Sequence, residues 1–154
     1  MRTKFKTPKR VLSVFLCVLI LFSCVPVSVV SASAVDELTV AIDTGANVTL
    51  TDTDANGYYD IDTADELYAF AYAVNGGNTS INAELTANIV VNEGTMSAET
   101  DSISVRHWTP IGNYSKRYTG SFNGNSYTVS GIYLNNAETY CVGLFGLLYM
   151  GGAV

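Results

Sequence analysis

Histidine and tryptophan occur once each in these 154 residues, and proline and cysteine three times each. His107, beside Trp108, cannot assemble a zinc site without cysteine partners, and Cys141 has no neighbouring thiol. Cys17 and Cys24 lie in an apolar N-terminal stretch, which leaves Cys141 alone in the rest of the chain and excludes an internal disulfide there. No Gly-x-Ser-x-Gly elbow is present to seat a nucleophilic serine. The longest apolar run, Val11 to Phe22, is 12 residues, short of the ~20 that span a bilayer as a helix.

Positive charge is also scarce, and badly distributed. Arg2, Lys4, Lys6, Lys9 and Arg10 crowd the first ten positions, so five of the eight bases precede the apolar run. The run is followed by a small-residue exit, Ala32-Ser33-Ala34. This order reads as a secretory signal peptide over residues 1–34, cleaved after Ala34. A retained anchor and lipidation at Cys24 in "LFSC" are the alternatives; the bulky Phe22 fits a lipobox poorly. Beyond residue 34 only Arg106, Lys116 and Arg117 face all 14 acids, a net charge of −11. That excludes binding nucleic acid through its phosphates and settling on anionic lipid; the expectation is a secreted or cell-surface chain with no membrane association after signal removal.

What is abundant is Thr, Val, Ile, Tyr, Asn and Gly, a strand-forming composition. "ELTVAID", "NVTLTD" and "GYYDI" alternate as half-buried strands do, and residues 35–62 are expected to form an N-terminal β segment. "TADELYAFAYAVNGG" departs from that pattern. Thr63 and Glu66 make a capping box, Asp65 and Glu66 suit the helix dipole, and Leu67, Phe70, Ala71 and Val74 share a face. Asn75-Gly76-Gly77 stops the helix. "INAELTANIVVN" returns to strand, and "EGTMSAETDSIS" reads as a loop. Further on, "GSFNGNSYTV" and "GLFGLLYMGGAV" begin alike, with Phe122 and Phe145 offset by 23 residues, in the range of one solenoid coil.

The order Tyr59-x-Ile61, "ADELYAFAYAVN", "AELTANIVVN", "WTPIG", "YTGSFNGNSYTVSGIYL" and "VGLFG", from Asp60 to Val154, resembles bacterial secreted and surface proteins with Gly-Leu-aromatic-Gly (GLUG) repeats. The resemblance implies a mainly β fold, the start of a right-handed parallel β-helix with one amphipathic helix near its N-terminus. It places the helix and first coils at residues 63–154, incomplete at the C-terminus, with further repeats expected beyond Gly152. It implies modular extracellular proteins, adhesins among them, and the non-catalytic part of some IgA-specific metallopeptidases. The family's usual "FDGNG" is "FNGNS" here, with Asn123 and Ser126 replacing the commoner acid and glycine. Leu144 and Phe145 are expected to fill the core between Gly143 and Gly146.

Candidate chemistry is sparse. Asp52, Asp54, Asn56, Gly57 and Asp60 match the first part of an EF-hand loop, but Thr63 stands where a bidentate Glu is required. A plain Asp/Asn/Gly turn explains the same residues. Asp60, Asp62 and Asp65 read as turn and cap rather than as a carboxylate pair for glycoside hydrolysis. Tyr114, Tyr118, Tyr127, Tyr133 and Tyr140 offer either an aromatic stripe for a sugar or protein partner or ordinary strand packing. The expectation is a structural or adhesive module with no catalytic residues, cofactor or metal, binding an unidentified protein or carbohydrate surface. The alternative is the non-catalytic N-terminal part of a larger extracellular peptidase or carbohydrate-active enzyme. The three Asn-x-Ser/Thr sequons, at Asn47, Asn78 and Asn113, read as chance in so Asn- and Thr-rich a chain.

Overall fold

The computed structural model describes residues 35–95, 105–134, 141–149 and 153–154. The chain divides into two units, Met1–Ala32 and Ser33–Val154, and all described residues belong to the second. The expected signal peptide, its cleavage site and Cys24 lie outside the described residues, as do most of the "EGTMSAETDSIS" loop and Tyr140.

Strands β1 (Asp36–Ala41) and β2 (Asn47–Asp52) form an antiparallel hairpin in which Leu38 faces Leu50 and Val40 faces Val48. Its loop closes through Ile42 N–H to Ala46 O, 2.9 Å, with Gly45 at φ +79°. β3 (Tyr59–Ile61) pairs antiparallel with β2 at Thr51–Asp60. β4 (Ala83–Leu85) then pairs parallel with β3, and β6 (Phe122–Asn123) parallel with β4, giving the order β1-β2-β3-β4-β6. β5 (Ile89–Val90) and β7 (Val129–Ser130) make a second, two-stranded parallel sheet.

This topology corrects the expected right-handed parallel β-helix. The five-stranded sheet is mixed, opening with antiparallel pairs, and the parallel pairings and bridges among the described residues share no single repeat length. Tyr59–Ala83, Ala83–Phe122, Ile89–Val129, Ile111–Phe145 and Ser121–Ala153 stand 24, 39, 40, 34 and 32 residues apart. The 23-residue likeness between Phe122 and Phe145 is not a pairing register, because Ser121 bridges Ala153. The two phenylalanines instead meet through their rings, with centroids 5.3 Å apart at 78°. Similar glycine-bracketed strands thus arose at positions whose excursions differ in length.

Helix α1 (Ala64–Gly76) starts as its sequence dictates: Thr63 Oγ1 accepts the Glu66 N–H, and the Glu66 carboxylate accepts the Thr63 N–H. It buries more than one face, since Tyr68, Ala69 and Ala73 join Leu67, Phe70, Ala71 and Val74 inside. The core lies between this helix and the inward row Leu50, Ile61 and Leu85, with Phe70 at its centre against Tyr118 and Phe122. Leu144 and Phe145 pack against it, half-buried, and Trp108 Nε1 donates to the Gly143 carbonyl at 3.1 Å.

Asparagines fasten the excursions to one another. Asn92 receives the Arg106 N–H on Oδ1 at 2.7 Å and donates through Nδ2 to the carbonyls of Arg106 and Gly131, both at 2.9 Å. Asn82 joins Gly57 O to Ser121 N, and Asn75 joins Pro110 O to Gly112 N.

Arg106 makes a three-sided polar clasp. Its guanidinium meets Asp43 through Nε and one terminal nitrogen, meets Asp65 through the other at 2.6 Å, and lies 3.5 Å from the Tyr68 ring centroid. Such a fork on a carboxylate, backed by an aromatic face, is a combination lysine cannot reproduce. Hydrogen bonding from Arg106 holds Asp43 below the usual carboxylate range, against the burial that raises it. A folded pKa below the unfolded one gives stability that is full above the unfolded value and is lost as pH falls through the folded one. Asp43→Asn is therefore expected to lower stability at neutral pH and to flatten its decline below about pH 4. Urea denaturation of both forms over an acid pH series checks this; parallel declines would exclude Asp43 as the acid-sensitive group.

Candidate functional site

Alternation along a strand sends successive side chains to opposite faces, and the registers carry that alternation across the sheet. Inward stand Tyr59, Ala83 and Phe122; outward, in one row, stand Thr51, Asp60, Glu84 and Asn123. The Thr86 N–H bonds Ile61 O at 3.0 Å, tying the residue after β4 to the last residue of β3. Asp62 and Thr86, two residues beyond Asp60 and Glu84, consequently line the same outward cleft, whose volume is about 510 Å³.

Two turns wall it. The first, Thr53–Gly57, is organised by carboxylates: Asp52 accepts the N–H groups of Asn56 (3.1 Å) and Gly57 (2.8 Å), and Asp54 accepts Asn56 N–H at 3.1 Å. Asp60 Oδ2 accepts both the backbone N–H and the hydroxyl of Thr53. The second, Gly124–Tyr127, closes through Tyr127 N–H to Gly124 O at 2.7 Å. Glu84 ties the two together, accepting Asn56 Nδ2 on Oε1 at 2.6 Å and Asn125 Nδ2 on Oε2 at 2.8 Å.

All three described non-glycine residues with positive φ lie on these turns: Ala55 (58°) on one, Asn125 (46°) and Ser126 (64°) on the other. Left-handed backbone at both central positions defines a type I′ turn, which favours Asn-Gly over Asn-Ser. A left-handed non-glycine residue is strained by about 1–2 kcal/mol, and glycine's extra unfolded-state freedom offsets about 0.5–1. Ser126→Gly is expected to stabilise the protein by about 0.5 kcal/mol on those opposing terms. A lowered urea midpoint would mean that the turn carries no such strain.

The EF-hand reading of Asp52, Asp54, Asn56 and Asp60 meets this geometry directly. Asp52 is 4% exposed, and its oxygens face backbone N–H groups of its own turn, while Thr63 is the helix cap. Among the described residues no group of three or more His, Cys, Asp or Glu side chains is arranged to hold a metal ion. The proposed tyrosine stripe divides: Tyr118 and Tyr133 are buried, whereas Tyr114 and Tyr127 are exposed. Burial raises the Tyr118 phenol far above its ordinary pKa, and its OH donates to Ile81 O at 3.1 Å. His107 packs edge-on against Tyr133, centroids 5.1 Å apart.

Four carboxylates (Asp54, Asp60, Asp62, Glu84) and the exposed Tyr127 thus share the cleft with Thr53, Thr86 and Asn125, and no base lines it. Glu84 and Asn125 went unnoticed in the sequence. The signal for Glu84 was there: Ala83-Glu84-Leu85 copies the apolar-polar-apolar pattern of Tyr59-Asp60-Ile61.

No family model matches the chain, and no solved structure matches it. A 47-residue segment is 38% identical to a protein of Evansella cellulosilytica whose name is that of a Gly-rich membrane protein; the segment is 30% of this chain and 5% of that relative. No helix among the described residues is long and apolar enough to cross a membrane.

Proposed function

We propose that this chain is an extracellular binding module of a bacterial surface, related to the Gly-Leu-aromatic-Gly repeat proteins it resembles, and that it holds carbohydrate in the cleft without cleaving it. The observation that carries this reading is the placement of all three described left-handed non-glycine residues on the two turns walling one cleft. Strained backbone persists where the surroundings over-determine it, and it gathers at ligand clamps. The lining suits a hydroxyl-rich ligand. Carboxylates and an amide accept and donate hydrogen bonds, and Tyr127 offers an apolar face with a polar tip. Holding rather than hydrolysis is favoured because Asp60 and Glu84 already fasten the turns through Thr53, Asn56 and Asn125. The membrane-protein name of the relative, and its much greater length, support a modular role at the cell envelope.

The test is a glycan array with the purified chain, followed by calorimetric titration of the best ligand. Tyr127→Ala, at an exposed position, is expected to leave melting unchanged and to weaken binding roughly tenfold. An array without binders, or a ligand indifferent to Tyr127, would sink the binding reading; release of new reducing ends would sink its non-catalytic part.

A further inference from the structure

Resting on the carbohydrate reading, the geometry points to a narrower ligand class: an extended polysaccharide laid across the strands, with one sugar unit over each, rather than a single sugar or chain end held in the cleft.

The sheet register supplies the reason. Thr51 of β2, Asp60 of β3, Glu84 of β4 and Asn123 of β6 are consecutive partners across four neighbouring strands. All four are outward and at least partly exposed. Each bears a hydrogen-bonding group, and neighbouring strands lie about 4.8 Å apart. The row therefore spans three strand spacings, roughly 14 Å, a distance one sugar ring cannot bridge and a chain of several rings can. Its chemistry is mixed along the way, hydroxyl, carboxylate, carboxylate, amide, which suits a neutral chain of hydroxyls better than a row of cations. An extended peptide crossing the same strands advances about 3.3 Å per residue and falls out of step with them.

The cleft overlaps this path: Asp60 and Glu84 line it, with Thr53 beyond β2 at one side and Tyr127 beyond β6 at the other, while Thr51 and Asn123 stand in the row outside its lining. Glu84 presents both oxygens to the wall turns, and the Thr53 bonds fall on Asp60 Oδ2 alone. A carboxylate oxygen accepts more than one bond, so this anchoring leaves the row able to receive ligand hydroxyls.

The experiment is calorimetric titration of the full purified chain with disaccharides and hexasaccharides of the cello-, chito- and manno- series, repeated with Thr51→Val and Tyr127→Ala. The hexasaccharide of the binding series is expected to bind at least about tenfold tighter than its disaccharide. Thr51→Val, which keeps shape and removes one hydroxyl, is expected to weaken the hexasaccharide about fivefold, the size of one lost hydrogen bond, and to leave the disaccharide unchanged. Equal affinity for both lengths, with Tyr127→Ala still weakening each, overturns the extended track and leaves the carbohydrate reading standing. Equal loss for both lengths on Thr51→Val also overturns it, since that residue then acts through the fold. Absence of binding throughout overturns both. Unchanged melting temperature in Thr51→Val establishes that its effect is local.

Discussion

Gly131→Ala is expected to remove about 4 kcal/mol of stability, a large part of the roughly 5–15 kcal/mol that holds a domain together. Gly131 has φ +70°, so alanine there takes on about 1–2 kcal/mol of left-handed strain. The larger effect is contact. A Cβ at Gly131 would overlap the Asn92 carbonyl oxygen and lie 2.6 Å from Asn92 N, backbone atoms that cannot rotate away. Moving Asn92 disturbs its three side-chain bonds to Arg106 and Gly131, each contributing about 1 kcal/mol. Gly45→Ala is the control. Gly45 also has positive φ, +79°, but nothing lies within 4 Å of its would-be Cβ, so only the conformational part is expected. Urea denaturation followed by circular dichroism compares the two. Equal losses would show that close approach at Asn92 is unimportant.

Phe70→Ala is expected to cost about 3–5 kcal/mol, the usual range for emptying a buried aromatic site. Phe70 is 0% exposed and meets Tyr118 at 5.8 Å and Phe122 at 5.7 Å between ring centroids. Those partners come from the segment that runs into β6, so the truncation removes the helix's ring contacts with that segment as well as opening a cavity. Tyr72→Ala, two residues along the same helix and 39% exposed, is expected to stay within about 1 kcal/mol. Thermal unfolding of the pair decides the matter; comparable drops would place the helix's main contacts elsewhere.

How far the sequence foretold this follows from the range of each interaction. The first strands and the helix were legible because alternation and a capping box are written within a few residues: Leu38 to Val40, Thr63 to Glu66. The Arg106 clasp was not, because Asp43 lies 63 residues away and no local pattern pairs them. The cleft was half legible. Asp54, Asp60 and Tyr127 could be picked out one by one, but only the parallel register of β3 with β4 brings Glu84 beside Asp60. The β-helix expectation failed for a related reason: glycine-bracketed strands look alike whatever separates them, and the separations are what set topology. Tyrosine was ambiguous by nature, equally at home inside, as Tyr118 is, or outside, as Tyr127 is.

Glu84 fastens both wall turns with a single carboxylate, one oxygen to each. The two walls are therefore not independent parameters. A substitution at Asn56 changes the free energy of the Asn125 turn, and a double-mutant cycle between them reports a coupling that distance alone does not predict. A ligand that stiffens one wall lowers the entropy still to be lost in ordering the other. Cooperativity of this kind needs no movement, and it means that any retuning of the cleft has to treat the two turns as one inherited unit.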